Sequence, residues 1–219
     1  MIKIDDRFED VKMVKNVTLI EADPNSKSIK KILCNDGSVI DLYLKNIFTE
    51  MTEEYIPSTE HIVFDGVIAK VPQDLNTPNL KLEVKPGDHV LCHHFLCSPE
   101  NMVEIEGKRY FMFDYVFDYV TYQLPSVYAK ITDDGLEMIG GWNLLTPVKD
   151  GHEELRKQGI EIPFEKEFQN VGEVEWCNNE LGLKKGDKVA FDKNSDYEIE
   201  FGGKKYYRVN NRDIAGVFV

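Results

Sequence analysis

The chain has 219 residues and a net charge of −13 at neutral pH, 26 lysines and arginines against 39 aspartates and glutamates. Such a balance argues against a nucleic-acid or anionic-membrane surface, because no basic run offers a phosphate footprint, and points to another protein as the partner. No apolar stretch approaches the ~18 residues of a membrane span, residues 1–12 lack the basic-then-apolar order of a signal peptide, and Cys34, Cys92, Cys97 and Cys177 are scattered as free thiols of a reducing compartment would be, so a cytoplasmic location is expected.

Residues 1–15 read as charged and irregular, and residues 16–21 have the β-branched character of a first strand. Residues 29–33 and 39–44 flank Asn35-Asp36-Gly37 and predict a hairpin, inserted at about 26–47. Residues 53–58, with Tyr55, Ile56 and Pro57, read as an exposed loop leading to a strand at 66–71. Lys85-Pro86-Gly87-Asp88 is a turn that starts the strand 89–92. Residues 103–106 and 109–113 flank Gly107-Lys108 as a second hairpin, the aromatic run 115–120 closes this half as core, and residues 121–126 read as a linker. The second half restarts with a strand at 127–131 and continues through 136–146, where Gly140-Gly141 bends it. Residues 150–158 are highly charged and suit a helical turn. Strands follow at 188–191, 203–207 and 213–219.

The two halves share a grammar. Ile56-Pro57 and Gly66 recur as Ile162-Pro163 and Gly172, each pair 106 positions apart, and the Lys-Pro-Gly-Asp turn recurs as Lys184-Lys185-Gly186-Asp187. An internal repeat over this length predicts two domains, 1–122 and 123–219, the second with a mobile loop at about 150–171. Many short strands with Gly-rich turns argue for small closed all-β barrels, which leave few open edges.

Gly159-Ile160-Glu161-Ile162-Pro163, then Gly172-Glu173-Val174, the turn into Val189, and Asp213-Ile214-Ala215 resemble, in order, the motifs of the GroES-type co-chaperonins, the lids of bacterial chaperonins. The first half matches at Gly66-Val67 and from Val84 to Val90, so the chain resembles a tandem lid of two GroES-like barrels. The resemblance implies a homo-oligomeric ring that caps a nucleotide-bound chaperonin of the GroEL type and assists ATP-dependent folding, with no cofactor of its own. It implies that Ile160 and Ile162, alternating onto one side of an extended loop with Glu161 pointing away, fill a groove between chaperonin helices, while Gly159 permits the bend. Tyr55-Ile56-Pro57 is the corresponding bait of the first half; it lacks the leading glycine and carries Glu53 and Glu54. The family places a roof hairpin before the Lys-x-Gly-Asp turn; the second half has only residues 176–182 there, which resembles roofless phage lids and implies a wider chamber.

Other readings are weighed beside this one. Ile160–Ile162 could be an ordinary short strand. Cys92-His93-His94 with Cys97 offers zinc-type ligands, but adjacent histidines point to opposite sides and no second ligand pair follows, so no metal is expected. No Gly-x-Gly-x-x-Gly follows a strand and no nucleophile motif is present, so the chain is not read as an enzyme. The alternative function is a GroES-fold structural or assembly protein, such as a viral one, that no longer binds a chaperonin.

Overall fold

Runs of Val, Ile, Tyr and Phe, each interrupted within about ten residues by Gly, Asp or Asn, favour pleated strands and leave little room for helix nucleation. The computed structural model describes residues 2–4, 6–21, 29–33, 39–43, 63–77, 79–93, 96, 101–119, 122–149, 167–193, 195–201 and 204–218. Among these residues the regular structure is strands and short 3-10 turns, the all-β class expected. The chain divides into two units, residues 1–140 and 141–219.

Unit 1 contains β1 (Ile2–Ile4), β2 (Val17–Glu21), β3 (Ile29–Leu33), β4 (Val39–Tyr43), β5 (Val63–Lys70), β6 (His89–His93), β7 (Met102–Ile105), β8 (Lys108–Asp114), β9 (Val116–Tyr119), β10 (Tyr122–Pro125), β11 (Val127–Thr132) and β12 (Gly135–Met138). Eight of them form one sheet in the order β1-β7-β8-β2-β5-β6-β11-β12, while β3-β4 and β9-β10 are separate two-stranded ribbons. Ile20, Ile68, Val90, Cys92, Phe111 and Tyr115 lie in its core. A second cluster of Leu19, Val103, Ile105 and Tyr110 is covered by Phe8, whose ring stacks 5.1 Å from Tyr110. The Lys70 ammonium sits 4.3 Å from the Phe8 ring centre and donates to the carbonyls of Phe8 and Val11.

Unit 2 contains β13 (Trp142–Lys149), β14 (Glu167–Trp176), β15 (Lys188–Phe191), β16 (Tyr197–Phe201), β17 (Lys204–Asn210) and β18 (Ile214–Phe218), ordered β16-β17-β13-β14-β15-β18. Its core is Leu145, Val174, Leu183, Val189, Phe191, Tyr207 and Val209.

This order matches the run β7-β8-β2-β5-β6-β11 of unit 1 strand for strand. The register agrees as well: Gly66 faces Val90 and Gly172 faces Val189. The two Lys-x-Gly-Asp turns repeat bond by bond. Gly87 and Gly186 both have φ of 92°, which only glycine adopts without strain. Each aspartate carboxylate accepts from the turn's first amide at 2.9 Å, Lys85 in one and Lys184 in the other. Each glycine N–H then donates to the neighbouring strand at 2.8 Å, to Ile68 or to Val174.

Several expectations are corrected. Residues 1–15 are not irregular throughout: β1 runs parallel to β7 and a 3-10 turn spans Phe8–Asp10. The reading of 121–126 as a linker fails because Tyr122–Pro125 pairs antiparallel with β9. The strand at 127–131 does not restart the repeat; β11 pairs with β6 as β18 pairs with β15, so it completes the first sheet. The division at 140/141 thus lies beyond the expected 122/123, with most of β10 and the β11–β12 hairpin between them. Gly140 and Gly141 do not bend one strand but separate two, at φ of 60° and 74°, and a Cβ on Gly140 would lie 1.9 Å from Pro125 Cγ. The β7–β8 turn is Glu106-Gly107, both left-handed as a type I′ turn requires, rather than Gly107-Lys108.

Candidate functional site

The sequence motif that stands out, Gly159-Ile160-Glu161-Ile162-Pro163, belongs to the connection 150–166 between β13 and β14 and lies outside the described residues, as do Tyr55, Ile56 and Pro57 of the connection between β2 and β5. What the structure does describe is the root from which residues 150–166 depart. Lys149 and Glu167 face each other in the β13–β14 ladder, so both ends of the connection are fixed one strand spacing apart. Between Gly172 and Glu167 the ladder is irregular: two steps along β13 are matched by five along β14, and Asn170 takes φ of 62°. Such a bulge re-aims the strand end. Phe168, within it, is 45% exposed.

Glu167 is the hub of this root. Its Oε2 accepts from the Tyr207 hydroxyl at 2.5 Å and from Lys205 Nζ at 2.9 Å, and Lys205 also reaches Glu198 at 2.8 Å. Partial burial pushes the Glu167 carboxyl up, but the two hydrogen bonds and the charges of Lys205 and Lys149 outweigh it and hold the group below its usual range. Burial and the bond to Glu167 raise the Tyr207 phenol, so it stays a donor. For Lys205 burial acts downward, and the two carboxylates reverse it and raise the ammonium. Beside the hub is an open cleft of about 350 Å³ lined by Phe168, Gln169, Asn170, Lys193 and Asp196.

A second feature escaped the sequence reading. Asn143, fully buried at the start of β13, donates to the carbonyls of Gly141 and Val209 at 3.3 Å each and to Asn211 Oδ1 at 2.8 Å, and it accepts from the Asn178 amide at 3.0 Å. Asn178 in turn caps the 3-10 turn Asn179–Leu181 through its side chain. Residues 177–187, between β14 and β15, contain no strand, so a capped turn pinned by Asn143 occupies the place of a roof hairpin. The only signal in the sequence is scattered asparagines, Asn143 in a strand, Asn178 at the cap of one 3-10 turn and Asn211 in another.

Of the zinc-type residues, His93 is buried, its ring 6.1 Å from Tyr128, and Cys92 is fully buried with burial and Asp65 pushing its thiol well up, as a packed side chain requires. His94 and Cys97 lie outside the described residues. No metal-binding group of three or more ligands occurs among the described residues.

Comparison with known proteins bears on the same segment. Residues 148–218 match the family described as Chaperonin 10 Kd subunit. A co-chaperonin GroES of Fusobacterium nucleatum subsp. nucleatum is 39% identical over 88 residues, 37% of this chain and 96% of the relative. A co-chaperonin GroES of Lactobacillus helveticus is 28% identical over 95 residues, 42% of this chain and 89% of the relative. The chain belongs to the GroES family of co-chaperonins. The family match opens at Val148, one residue before the Lys149–Glu167 root, and runs through β18, so it takes in the connection 150–166 and most of unit 2. The described residues, all β with one large sheet in each unit, are thus of the GroES-like β-barrel class. No helix among the described residues is long and apolar enough to cross a membrane.

Proposed function

We propose that the chain is a cytoplasmic co-chaperonin that caps a nucleotide-bound chaperonin ring through residues 150–166 and so assists ATP-dependent protein folding, without cofactor or catalysis of its own. The observation that carries this reading is the placement of Gly159-Ile160-Glu161-Ile162-Pro163 on a connection whose ends are pinned at Lys149 and Glu167, inside the segment that matches the family. A chain of this length, fixed at both ends, can carry its middle about 25–30 Å from the sheet. Ile160 and Ile162 near its apex supply two branched apolar anchors. Ordering the loop on docking makes each contact weak, and a ring of loops restores avidity. Tyr55-Ile56-Pro57 holds the same place relative to Gly66 and is a secondary bait.

The repeated strand order and the paired turns support a tandem architecture, one GroES-like unit following another. They also suggest how rings form. In unit 1 the outer side of β11 is covered by β12, whereas the corresponding β18 is an edge strand on which Val217 and Phe218 are 47% and 56% exposed. An uncovered apolar edge invites a strand from a second copy. Homo-oligomerisation through β18 follows from the same logic.

The reading is tested by co-sedimentation with a purified chaperonin in the presence of nucleotide. The wild type is expected to pellet with the ring and the Ile160→Ser/Ile162→Ser variant to stay in the supernatant. Equal pelleting of both, or none by either, favours the alternative of a structural or assembly protein that keeps only the fold.

A further inference from the structure

The sheets of the two units also differ at the edge opposite β11 and β18. In unit 1 the outer edge of β7 carries β1, which runs parallel to it with Ile2 beside Val103, Lys3 beside Glu104 and Ile4 beside Ile105. In unit 2 the equivalent strand is β16, and among the described residues no strand lies on its outer edge. Register fixes the equivalence: Tyr110 pairs with Val103 and Tyr206 with Ile199, while Lys108 pairs with Ile105 and Lys204 with Phe201. Val103-Glu104-Ile105 and Ile199-Glu200-Phe201 are therefore the same three positions, in the same order of apolar, acidic and apolar residues. The covering strand also shows in the burial. Ile105 is fully buried in the cluster on which Ile4 packs, whereas Phe201, which holds its place, is only half-buried, as is Tyr197 at the other end of β16.

We propose that the outer edge of β16 is a docking site for an extended segment of another protein, added as a parallel strand with an apolar-basic-apolar tripeptide beside Ile199, Glu200 and Phe201. A sheet edge is a template for a further strand, and the chain holds a worked copy of this one in its own first residues. Charge selects the donor as well as shape. In the copy, Lys3 Nζ lies 3.3 Å from Glu104 Oε1, and β16 reads Tyr-Glu-Ile-Glu-Phe, with two acidic residues and no basic one. A second copy is a poor donor, because its residues 2–4 already pair with its own β7 and would uncover that edge on leaving. The site is distinct from the connection 150–166 and from β18, which ends the opposite side of the sheet, and it stands independently of the co-chaperonin reading. Few residues are added, so the contact is weak and reversible.

The test leaves the full-length protein unaltered and varies the donor. A synthetic peptide with the sequence of residues 1–8, labelled with a fluorophore at its C-terminus, is titrated with the chain and followed by anisotropy. A second peptide carries Lys3→Glu, and a third has a diazirine-bearing leucine analogue in place of Ile4, so that the cross-linked residue can be mapped by mass spectrometry. Expected are saturable binding with a Kd of about 1 mM or tighter, binding of the Lys3→Glu peptide about fivefold weaker, and cross-links within residues 197–201. Absence of saturable binding overturns the inference, as does a cross-link confined to Val103–Ile105, which would mean that the peptide only displaces β1. Equal binding of the Lys3→Glu peptide overturns the chemistry assigned to the donor. A peptide that binds only by breaking apart wild-type oligomers in sedimentation velocity gives the edge to a second copy and overturns the choice of partner.

Discussion

Asn143 and Thr18 occupy the same place in the two sheets, and their replacement should have opposite effects. The equivalence follows from register: Ile20 pairs with Phe111 of Lys-Arg-Tyr-Phe and Leu145 with Tyr207 of Lys-Lys-Tyr-Tyr, and two residues earlier stand Thr18 and Asn143. Both are fully buried. Asn143 makes four hydrogen bonds, whereas the Thr18 hydroxyl has no hydrogen-bond partner among the described residues. Asn143→Ala strands the amide of Asn178, which is itself buried, and takes the donor from Asn211 Oδ1, at about 1–3 kcal/mol for each unsatisfied group. Allowing for partial rescue by water, unit 2 should lose about 2–4 kcal/mol. Thr18→Val removes an unpaired polar atom at nearly constant volume and should be neutral or stabilising by up to about 1 kcal/mol. Both tryptophans, Trp142 and Trp176, lie in unit 2, and Trp142 packs 4.6 Å from the Arg208 guanidinium, so urea unfolding followed by tryptophan fluorescence reports on that unit. With a slope of about 1–3 kcal/mol/M, the Asn143→Ala midpoint should fall by roughly 1–3 M. A fall equivalent to less than about 0.5 kcal/mol would refute the claim that this network holds the turn at 177–182 in place.

Three further outcomes follow from the geometry. Gly172→Ala would place a Cβ 2.7 Å from Leu145 Cβ and should cost about 1–3 kcal/mol in the same urea assay, whereas Gly216→Ala meets nothing within 4 Å and should be neutral or slightly stabilising. Tyr207→Phe removes a donor from Glu167, so the carboxyl should titrate at higher pH by NMR. Because the folded-state Glu167 is held below its unfolded value, the stability it contributes is present above the ordinary carboxylate range and lost as pH falls through the folded value; the difference between Tyr207→Phe and wild type should therefore shrink under acid conditions. Val217→Glu/Phe218→Glu on the β18 edge should lower the sedimentation coefficient of the assembled protein while leaving the unfolding midpoint of unit 2 little changed, since both side chains are about half exposed.

What the sequence made legible was local chemistry with one structural solution. A Lys-x-Gly-Asp tetrapeptide needs a glycine at positive φ and an aspartate to bind the turn's first amide, so both copies could be recognised, and from them the register of Gly66 and Gly172. The paired Ile29–Leu33 and Val39–Tyr43 were readable for the same reason, with Asn-Asp-Gly between them. Strand partnership was not readable. Residues 127–131 look alike whether they open a second sheet or close the first, and only long-range pairing with β6 decides. Residues 121–126 read as a linker because Gln123 and Pro125 mask the pairing of β10 with Val116–Tyr119. The root of the connection 150–166 is not legible in the sequence because Glu167, Lys205 and Tyr207 are an ordinary glutamate, lysine and tyrosine until register brings 167 beside 205 and 207.

The central claim is that Ile160 and Ile162 grip a chaperonin ring, and native mass spectrometry of the chain mixed with a chaperonin, with and without ATP, tests it most directly. The account predicts a chaperonin complex that carries a ring of this chain when ATP is present and that is missing for Ile160→Ser/Ile162→Ser. A wild-type chain that never adds to the chaperonin mass, or a variant that adds as wild type does, would contradict it.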